Sequence, residues 1–324
     1  MRKHLLLLPL LAASALAARG RPLSRPNPAV GAILVADGRV IGRGHTQAGG
    51  RPHAEAQALG CAGAGVQNAT LYVTLEPCAH VSARGPACAD LVIAARPARV
   101  VIGCIDPDPR TAGTGIARLR EAGIRVEVID SAAARASLAG YLLRTREGRP
   151  HVTLKLATSL DGRIALASGE SRWITGAAAR AHVHATRARA DAILVGGGTL
   201  RADAPRLDVR LPGLAARSPE RWVLTRGAAP EGWNAVSDMA ARDAFGTAQY
   251  LYVEGGAGAA ATFLAADRVD RLMLYRAPIV IGAGRPAVGD IGLDRLAEAH
   301  DRWALVEQRR LGSDTLDIYE RLRG

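Results

Sequence analysis

The chain has 324 residues, a length that predicts two domains because a single hydrophobic core rarely grows that large. Hydrophobic residues make up 48% of the sequence and charged residues 22%, which excludes a disordered or collagen-like chain. The formal net charge is +12, and only Lys3 and Lys155 among the 42 basic residues are lysines, so nucleic acids, anionic membranes and phosphorylated small molecules all remain compatible partners.

The N-terminal segment supports two interpretations. A basic start, a leucine-rich stretch and Ala15-Leu16-Ala17 have the layout of a secretory signal. The alternative is an N-terminal core helix that ends at Arg19-Gly20, since alanine and leucine are strong helix formers. No other stretch reaches the roughly 18 apolar residues that a membrane span needs. The four cysteines are too few for a disulfide scaffold, which favours a reducing compartment such as the cytoplasm.

From residue 28 onward, short apolar runs alternate with helical stretches. Asp37-Gly38 separates two such runs and predicts a β-hairpin with a primed turn. We predict strands over 30–36, 39–42, 70–74, 99–105 and 125–128, and helices over 54–64, 87–95 and 115–122. Alternating strands and helices indicate a mostly parallel sheet covered on both faces. Cys61 and Cys104 fall within a predicted helix and strand, so we expect both to be buried.

A second α/β series follows the basic segment 144–150, which is interpreted as a linker. Its predicted strands are 152–157, 192–195, 222–225, 249–253 and 271–275, and its predicted helices are 177–187 and 257–266. One strand between residues 211 and 248 cannot be located. The sequence therefore predicts two different α/β domains, over residues 1–148 and 149–324.

The strongest chemical signal is a set of three metal-ligand types around residues 53–88. His53 begins His53-Ala54-Glu55, and Cys78 follows Pro77 and precedes Cys88 by ten positions. One imidazole and two thiolates leave the fourth tetrahedral position of zinc open for water, as in catalytic sites. Zinc lowers the pKa of that water to about 7, so hydroxide is available to attack an amidine-like ring carbon. Glu55 has the position of the general acid and base in the zinc deaminase signature, although that signature has C-x-x-C.

Several motifs of the first half extend this pattern. They are Arg25-Pro26-Asn27-Pro28-Ala29-Val30-Gly31, Gly44-His45, His53-Ala54-Glu55, Thr74-Leu75-Glu76-Pro77-Cys78-Ala79-His80, Gly85-Pro86-Ala87-Cys88 and Asp106-Pro107-Asp108-Pro109. Together they resemble the deaminase half of the bifunctional riboflavin-biosynthesis deaminase/reductase, over about residues 10–148. The resemblance implies a cytidine-deaminase-like three-layer domain whose first helix is the segment 5–18.

The same resemblance implies roles for single residues. His53, Cys78 and Cys88 would bind zinc, and Glu55 would be the catalytic acid and base. Asn27 and His45 would contact the pyrimidine, although Asn27 also suits a turn between two prolines. His80 is either a neighbour of the site or a solvated loop residue. The step from Cys78 to Cys88 is one residue longer than usual, which we expect a bulge at 81–84 to absorb. Thr114 replaces a basic residue, which puts one phosphate contact in doubt.

The second half lacks a G-x-G-x-x-G after a strand. Glycine clusters at 196–198 and 255–258 end predicted strands instead, where backbone N–H groups can approach a phosphate. These clusters lie among the segments 155–162, 168–175, 192–196, 202–207 and 253–256, which resemble the reductase half of the same enzyme, with a dihydrofolate-reductase-like fold. The resemblance covers most of residues 151–290.

This second resemblance implies two groups of contacts. The NADPH site would be lined by Ala157, Trp173, Thr199, Asp203, Gly256, Ala257, Gly258, Ala259, Ala260, Ala261 and Thr262. The substrate would be contacted by Ser171, Arg187, Leu207, Arg210 and Glu254. Arg187 and Arg210 can neutralise a ribose 5-phosphate. Ala204 replaces a second acid that usually follows Asp203, and the stretch 211–248 is shorter than usual.

The predicted function has two steps. Zinc hydroxide removes the 2-amino group of 2,5-diamino-6-(5-phosphoribosylamino)pyrimidin-4-one, and NADPH then reduces the ribosyl chain to ribityl. The expected partner is this phosphorylated pyrimidine, without nucleic acid or membrane, in a cytoplasmic protein that a homodimer would suit. One alternative is a deaminase with a degenerate reductase-like binding domain. Another is a nucleic-acid base deaminase, which the charge of +12 favours and the 4% aromatic content disfavours.

Overall fold

The structure is a computed structural model that describes residues 2–63, 65–80 and 82–323, with side chains from residue 7 onward. The chain divides into two compact units, Met1–Gly148 and Arg149–Gly324. Among the described residues, no helix has both the length and the apolar character needed to cross a membrane.

The first unit is built around a five-stranded sheet. Its helices and strands are α1 (Arg2–Ala17), β1 (Gly31–Ala36), β2 (Arg39–His45), α2 (Ala54–Ala62), β3 (Thr70–Val73), α3 (Cys88–Ala95), β4 (Arg99–Ile102), α4 (Thr114–Glu121), β5 (Arg125–Val128), α5 (Ala132–Ser137) and α6 (Ala139–Glu147). The strand order is β2-β1-β3-β4-β5. Strands β3, β4 and β5 run parallel, and β1 is antiparallel to both of its neighbours. The sheet is therefore mixed, with its parallel half next to α3 and α4.

The predicted hairpin is confirmed, and its turn has the expected backbone. Asp37 and Gly38 have φ angles of 48° and 73°, the two positive values that a primed turn requires. Helices α2, α3 and α4 cover one face of the sheet, where the main apolar cluster lies. Helix α1 packs on the other face, against β1 and α5. These three layers bring the N-termini of α2 and α3 to the same side of the sheet.

Helix α1 is part of the core of the first unit. Leu10, Ala13 and Ala17 are fully buried. The helix approaches β1 so closely that a Cβ atom at Gly31 would lie 1.9 Å from the carbonyl oxygen of Ala13. Of the two interpretations of the N-terminal segment, the structure therefore agrees with the core helix.

Two expectations for the first unit are wrong. Residues 144–147 of the predicted linker 144–150 are helical instead, because α6 extends to Glu147. The helix is capped by Gly148, whose φ of 69° stops it. Arginine is a good helix former, and Leu142 packs into the core. Within the charge run only Arg146 and Glu147 are exposed, whereas Arg149 is buried. Cys61 is exposed on α2, whereas Cys104 is buried as predicted.

The second unit contains an eight-stranded sheet. Its helices and strands are β6 (His151–Thr158), β7 (Arg163–Ala165), α7 (Ala177–Arg187), β8 (Ala192–Gly196), α8 (Gly197–Asp203), β9 (Glu220–Leu224), β10 (Asn234–Val236), β11 (Tyr250–Val253), α9 (Ala257–Ala265), β12 (Arg271–Arg276), β13 (Arg285–Pro286), β14 (Trp303–Leu311) and β15 (Asp314–Arg321). The order is β10-β9-β8-β11-β6-β12-β15-β14, and a separate pair joins β13 to β7. From β10 to β12 the strands are parallel, and β15 and β14 add an antiparallel hairpin.

The predicted strands and helices of the second unit are present, but the sequence analysis missed several elements. Strand β10 is the one that could not be located between residues 211 and 248. The hairpin β14–β15 was also missed, and so was α8, whose first residue is Gly197 in the first glycine cluster. Packing explains the glycine at position 255, because a Cβ atom there would lie 2.5 Å from the Cβ of Ala259.

Candidate functional site

Three predicted metal ligands meet at the N-termini of two helices in the first unit. His53 is the N-cap of α2, Cys88 is the first residue of α3, and Cys78 lies in the segment after β3. One ligand atom from each lies within 4.8 Å of the others. His53 Nδ1 is 3.2 Å from Cys88 Sγ and 3.6 Å from Cys78 Sγ.

The donor set fits zinc. One imidazole nitrogen and two thiolates are ligands that this metal prefers, and three protein ligands are typical of its catalytic sites. A hydrogen bond from the Cys88 thiol lowers the pKa of Cys78 to about 4, against the opposing effect of burial. Cys78 also accepts the backbone N–H of Cys88 at 3.3 Å. The site therefore stabilises a thiolate, the form of cysteine that binds metals.

Glu55 lies in the first turn of α2, two residues after His53. Its side chain is only 3% exposed. Burial raises the pKa of Glu55 to about 7, because desolvation disfavours the carboxylate. A pKa near neutrality suits a group that must both accept and donate a proton. Glu55 can therefore perform general acid and base catalysis beside the metal ligands.

His53, Cys78 and Glu55 open into a cavity of about 320 Å³. Asn27 and His80 also line it, whereas His45 does not. The Nδ2 atom of Asn27 is 3.0 Å from His53 Nε2 and donates to the Gly50 carbonyl at 3.2 Å. The structure thus brings Asn27, His53, Glu55 and Cys78 together around one cavity. Cys88 does not line the cavity, but its sulfur lies 3.2 Å from His53 Nδ1.

The sequence analysis gave no role to other residues that line this cavity. Arg51, Arg84 and Arg110 add positive charge to its wall. Tyr141 donates a hydrogen bond to Asp106 at 2.7 Å, and burial raises the pKa of Asp106. The Asp106-Pro107-Asp108-Pro109 motif was a signal for Asp106, but Tyr141 comes from α6, a helix that was not predicted.

Glu76 holds the loop that forms one wall of the cavity. Its carboxylate accepts hydrogen bonds from the backbone N–H groups of Asp106, Gly113 and Ile116, at 3.3, 3.0 and 3.1 Å. The side chain is 2% exposed. Because Glu76 lies two residues before Cys78, these bonds fix the ligand-bearing segment against the start of α4.

The extra residue between Cys78 and Cys88 lies in a small loop. Ser82 and Gly85 form an isolated β-bridge, and the Arg84 backbone N–H donates to the Ser82 hydroxyl at 3.1 Å. The Arg84 side chain donates to the Gly49 carbonyl at 2.6 Å. Val81, the first residue of the expected bulge, lies outside the described residues. The two sulfur atoms nevertheless face the same imidazole.

A second constellation lies in the second unit, where the parallel strands end. Glu254 directly follows β11, and its side chain is 9% exposed. Arg187 donates to both of its carboxylate oxygens, at 2.6 and 2.9 Å, and Lys155 Nζ lies 3.8 Å away. Burial opposes ionisation of Glu254, yet the charges of Lys155 and Arg187 hold its pKa below the usual range. Lys155 received no role in the sequence analysis.

The two arginines expected to bind phosphate differ in their surroundings. The guanidinium of Arg187 is engaged by Glu254 and also donates to the Asp208 carbonyl at 3.0 Å. Arg210 is exposed, and its Nε lies 3.5 Å from Asp208. Leu207, which precedes Asp208 in the sequence, is buried and has a φ of 55°.

The residues expected to line a nucleotide site lie mainly on three elements near these strand ends. Thr199 of α8 accepts the backbone N–H of Gly256 at 3.3 Å, which links the two glycine clusters. The expected stretch Gly256, Ala257, Gly258, Ala259, Ala260, Ala261 and Thr262 forms the N-cap and first turns of α9. Ala259, Ala260 and Ala261 are buried. Only the first residues of this stretch therefore offer an accessible helix end.

The other expected residues lie on β6, on α8 and in the loop before α7. Ala157 is the second last residue of β6, and Asp203 is the last residue of α8. Trp173 is 65% exposed, with the Arg180 guanidinium 4.9 Å from its ring centre. Ser171 is half-buried in the loop before Trp173. Ligands of open parallel sheets bind at the carboxyl ends of strands, where Ala157, Thr199 and Glu254 lie.

Comparison with known proteins assigns a domain family to each unit. Residues 8–104 match the model of the cytidine and deoxycytidylate deaminase zinc-binding region. Residues 150–249 and 235–316 match the model of the RibD C-terminal domain. The first unit thus carries a zinc-binding deaminase domain and the second unit a reductase domain.

Relatives match almost the whole chain. The riboflavin biosynthesis protein RibD of Escherichia coli K12 is 38% identical, over 92% of this chain and 95% of its own length. RibD of Mycobacterium tuberculosis H37Rv is 39% identical over 90% of each chain. A solved structure of Acinetobacter baumannii RibD has a TM-score of 0.86 at 34% identity and covers 98% of both chains. A deaminase/reductase from Thermotoga maritima has a TM-score of 0.87 at 28% identity, over 99% of this chain and 100% of its own.

Proposed function

Because this chain belongs to the RibD family, the bifunctional deaminases and reductases of riboflavin biosynthesis, we propose that each unit performs one of two successive steps on the same phosphorylated pyrimidine. The first unit removes the 2-amino group of 2,5-diamino-6-(5-phosphoribosylamino)pyrimidin-4-one. The second reduces the ribosyl chain of the product to ribityl with NADPH. The observation that carries this proposal is the convergence of His53, Cys78 and Cys88 beside Glu55, at a cavity lined by His53, Cys78 and Glu55.

In the deaminase unit, His53, Cys78 and Cys88 hold the zinc ion. Zinc at such a site supplies a bound water whose pKa is about 7. Glu55 accepts a proton at its carboxylate and returns it to the departing amino group, because its pKa of about 7 allows both states. Asn27 contacts the pyrimidine, and its side-chain nitrogen lies 3.0 Å from His53 Nε2.

The substrate phosphate needs cations at the mouth of the same cavity. Thr114 offers none, but Arg51 and Arg84 both line the cavity, and Arg84 is held by its hydrogen bond to Gly49. Arg110 is already paired with Asp108, at 3.0 and 3.1 Å. We therefore assign the phosphate to Arg51 and Arg84, whose planar guanidinium groups suit bidentate binding of phosphate.

In the reductase unit, Arg210 rather than Arg187 binds the ribose 5-phosphate. The hydrogen bonds of Arg187 are used by Glu254 and the Asp208 carbonyl, so Arg187 positions Glu254. The pair of Glu254 and Lys155 faces the sugar and exchanges the proton that ring opening requires. The nicotinamide cofactor supplies the hydride. Thr199 and the N-terminal end of α9 receive its phosphates.

The test separates the two activities of the full chain. The diaminopyrimidine phosphate is supplied to purified protein, and ammonia release and NADPH oxidation are followed independently. We expect both, with NADPH consumed only after deamination. Absence of NADPH oxidation in the wild type would leave a deaminase with a non-catalytic second unit.

Glu55→Ala tests the assignment of the acid and base. Removal of such a group typically costs about 10²- to 10⁴-fold in rate, so ammonia release is expected to fall by that factor. Reduction of pre-deaminated substrate should continue. Glu121→Ala, at an exposed position at the end of α4, is the matched control. Ammonia release that persists in Glu55→Ala would overturn this role, and zinc analysis of Cys88→Ser would show whether the metal depends on the predicted ligands.

A further inference from the structure

Two exposed arginines of the second unit lie close in sequence to the strand ends that form the nucleotide site. Arg201 lies on α8, two positions after Thr199, and Arg226 is the second residue after β9. Within the part of the chain that the structure describes, neither guanidinium forms a hydrogen bond or an ion pair. The residues expected to line the NADPH site include no cation, although this cofactor carries several phosphate groups. Both arginines are therefore candidates for binding one of them.

The strand register brings the start of α8 next to the end of β9. The strands β8 and β9 run parallel, and Gly196 is paired with Leu224. Gly197 and Thr225 are the next residues along, so they lie side by side at the carboxyl ends of the strands, where open parallel sheets bind ligands. The hydroxyl oxygen of Thr225 accepts the backbone N–H of Gly227 at 3.1 Å. This bond holds the oxygen in place, and its proton donates to no acceptor among the described residues.

Gly197 leaves a small space that two hydrogen-bond donors border. A Cβ atom at Gly197 would lie 3.3 Å from Arg201 Nη1 and 3.8 Å from Thr225 Oγ1. A side chain at this position would therefore crowd the guanidinium and occupy the space between the two donors. At the next residue, Gly198, a Cβ atom would have no neighbour within 4 Å, so this side of the space is open. The space is accessible to a ligand that accepts hydrogen bonds.

The direction of a bound cofactor follows from the order of the strands. Glu254, which faces the reacting sugar, follows β11, and β8 and then β9 are the next strands toward one edge of the sheet. Thr199 and Gly256, joined by a hydrogen bond of 3.3 Å, mark the position of the diphosphate. Neighbouring strands are about 4.8 Å apart, so the end of β9 lies about 10 Å from β11 across the sheet. With the nicotinamide at Glu254 and the diphosphate at Thr199, the adenosine half is expected over the end of β9.

The charges at this edge suit a phosphorylated ribose. A site for an unphosphorylated adenosine ribose commonly has a carboxylate that accepts a hydrogen bond from the 2′-hydroxyl, whereas an arginine accommodates a 2′-phosphate. The segments 196–202 and 224–230 contain no acidic residue. Asp203, the next acid along α8, forms no ion pair with Arg201 among the described residues. Arg201 and Arg226 therefore give this edge a net positive charge.

We propose that Arg201 and Thr225 bind the phosphate on the 2′-position of the adenosine ribose, and that they thereby select NADPH over NADH. The inference rests on the reductase activity proposed above and names the residues that distinguish the two cofactors. The guanidinium and the hydroxyl donate hydrogen bonds to the phosphate oxygens across the space left by Gly197. Arg226, beside Thr225, adds positive charge to the same edge.

The first test measures binding to the full chain without nicotinamide or substrate. Adenosine 2′,5′-bisphosphate and adenosine 5′-monophosphate, titrated by calorimetry, differ only in the 2′-phosphate. In Arg201→Ala, the Kd of the bisphosphate should rise about tenfold, and that of the monophosphate should stay within about twofold. Arg201→Lys keeps the charge and should lose less affinity, and Thr225→Val should weaken the bisphosphate about fivefold. Arg310→Ala is the matched control, because this exposed arginine lies on β14, at the opposite edge of the sheet.

Salt and cofactor preference give two further measurements. Added salt should weaken the bisphosphate less in Arg201→Ala than in wild type, because one charge of the site is missing. With pre-deaminated substrate, kcat/KM should fall about tenfold for NADPH in this variant and stay within about twofold for NADH.

Several results would overturn the inference. They are a wild type that binds neither probe or does not prefer the bisphosphate, an equal loss of both probes in Arg201→Ala, and the same loss in Arg310→Ala. Wild-type protein that prefers the bisphosphate but does not oxidise NADPH would refute the proposed reductase function and leave the phosphate site supported. Wild-type protein that uses NADPH and NADH equally well would refute only the phosphate site.

Discussion

The hydrogen bonds of Glu76 link the segment that carries Cys78, a predicted zinc ligand, to the wall of the cavity in the first unit, and they can be tested by substitution. Glu76 lies two residues before Cys78 and is 2% exposed. It accepts three backbone N–H groups, from Asp106, Gly113 and Ile116. No other acceptor is bonded to these groups among the hydrogen bonds of the described residues, so the carboxylate is their structural partner.

The expected cost follows from counting these bonds. A buried donor that loses its acceptor costs about 1–3 kcal/mol, so Glu76→Ala should lower the free energy of unfolding of the first unit by about 4 kcal/mol. Glu76→Gln retains one carbonyl oxygen and should cost about 2 kcal/mol. Both variants loosen the segment that carries Cys78, so retention of zinc during dialysis should decrease in the same order.

The assay uses the distribution of tryptophans. All four, at positions 173, 222, 233 and 303, lie in the second unit. Urea unfolding followed by tryptophan fluorescence therefore reports on the second unit, and hydrogen exchange of peptides from 106–116 reports on the first. Glu121→Ala is the exposed control and should change stability by less than about 0.5 kcal/mol. A loss below about 1 kcal/mol in Glu76→Ala would refute the reasoning from unsatisfied donors.

Two further predictions concern packing and acid stability. Gly31→Ala places a Cβ atom 1.9 Å from the carbonyl oxygen of Ala13, so it should lower the free energy of unfolding by at least about 1–3 kcal/mol in a thermal unfolding experiment. Gly60→Ala is the control, because no atom lies within 4 Å of the new Cβ, and it should be neutral or stabilising. Equal effects of the two substitutions would contradict the close approach of α1 to β1. Asp270 is buried, but Arg149 holds its pKa below the usual range, so its stabilising effect is present above the unfolded pKa of about 3.9 and is lost as pH falls through the folded value. Urea titrations should therefore show a stability difference between wild type and Asp270→Asn at neutral pH. This difference should shrink as pH falls below the unfolded pKa of about 3.9, and a constant difference would argue against the ion pair.

Much of the fold follows from local sequence patterns. The Asp37-Gly38 turn predicts the hairpin because both residues tolerate positive φ, and alternating apolar runs predict the central strands because burial requires them. The bounds of α7 and β5 agree with the predicted ranges 177–187 and 125–128. The failures are equally local. The arginines at 144–149 suggested a linker, but the pattern lacked the information that Leu142 packs into the core.

For the candidate site, residue type and spacing at the helix starts were enough to predict three zinc ligands and an acid beside them, and the structure brings these four side chains close together. Which charged side chains are already paired could be read only from the folded chain. It pairs Arg187 with Glu254, leaves Arg210 exposed, and gives three backbone donors to Glu76. It also brings Tyr275 to His182 across 93 positions of the chain. Such partners depend on strand order and helix packing, which no local pattern of residues specifies.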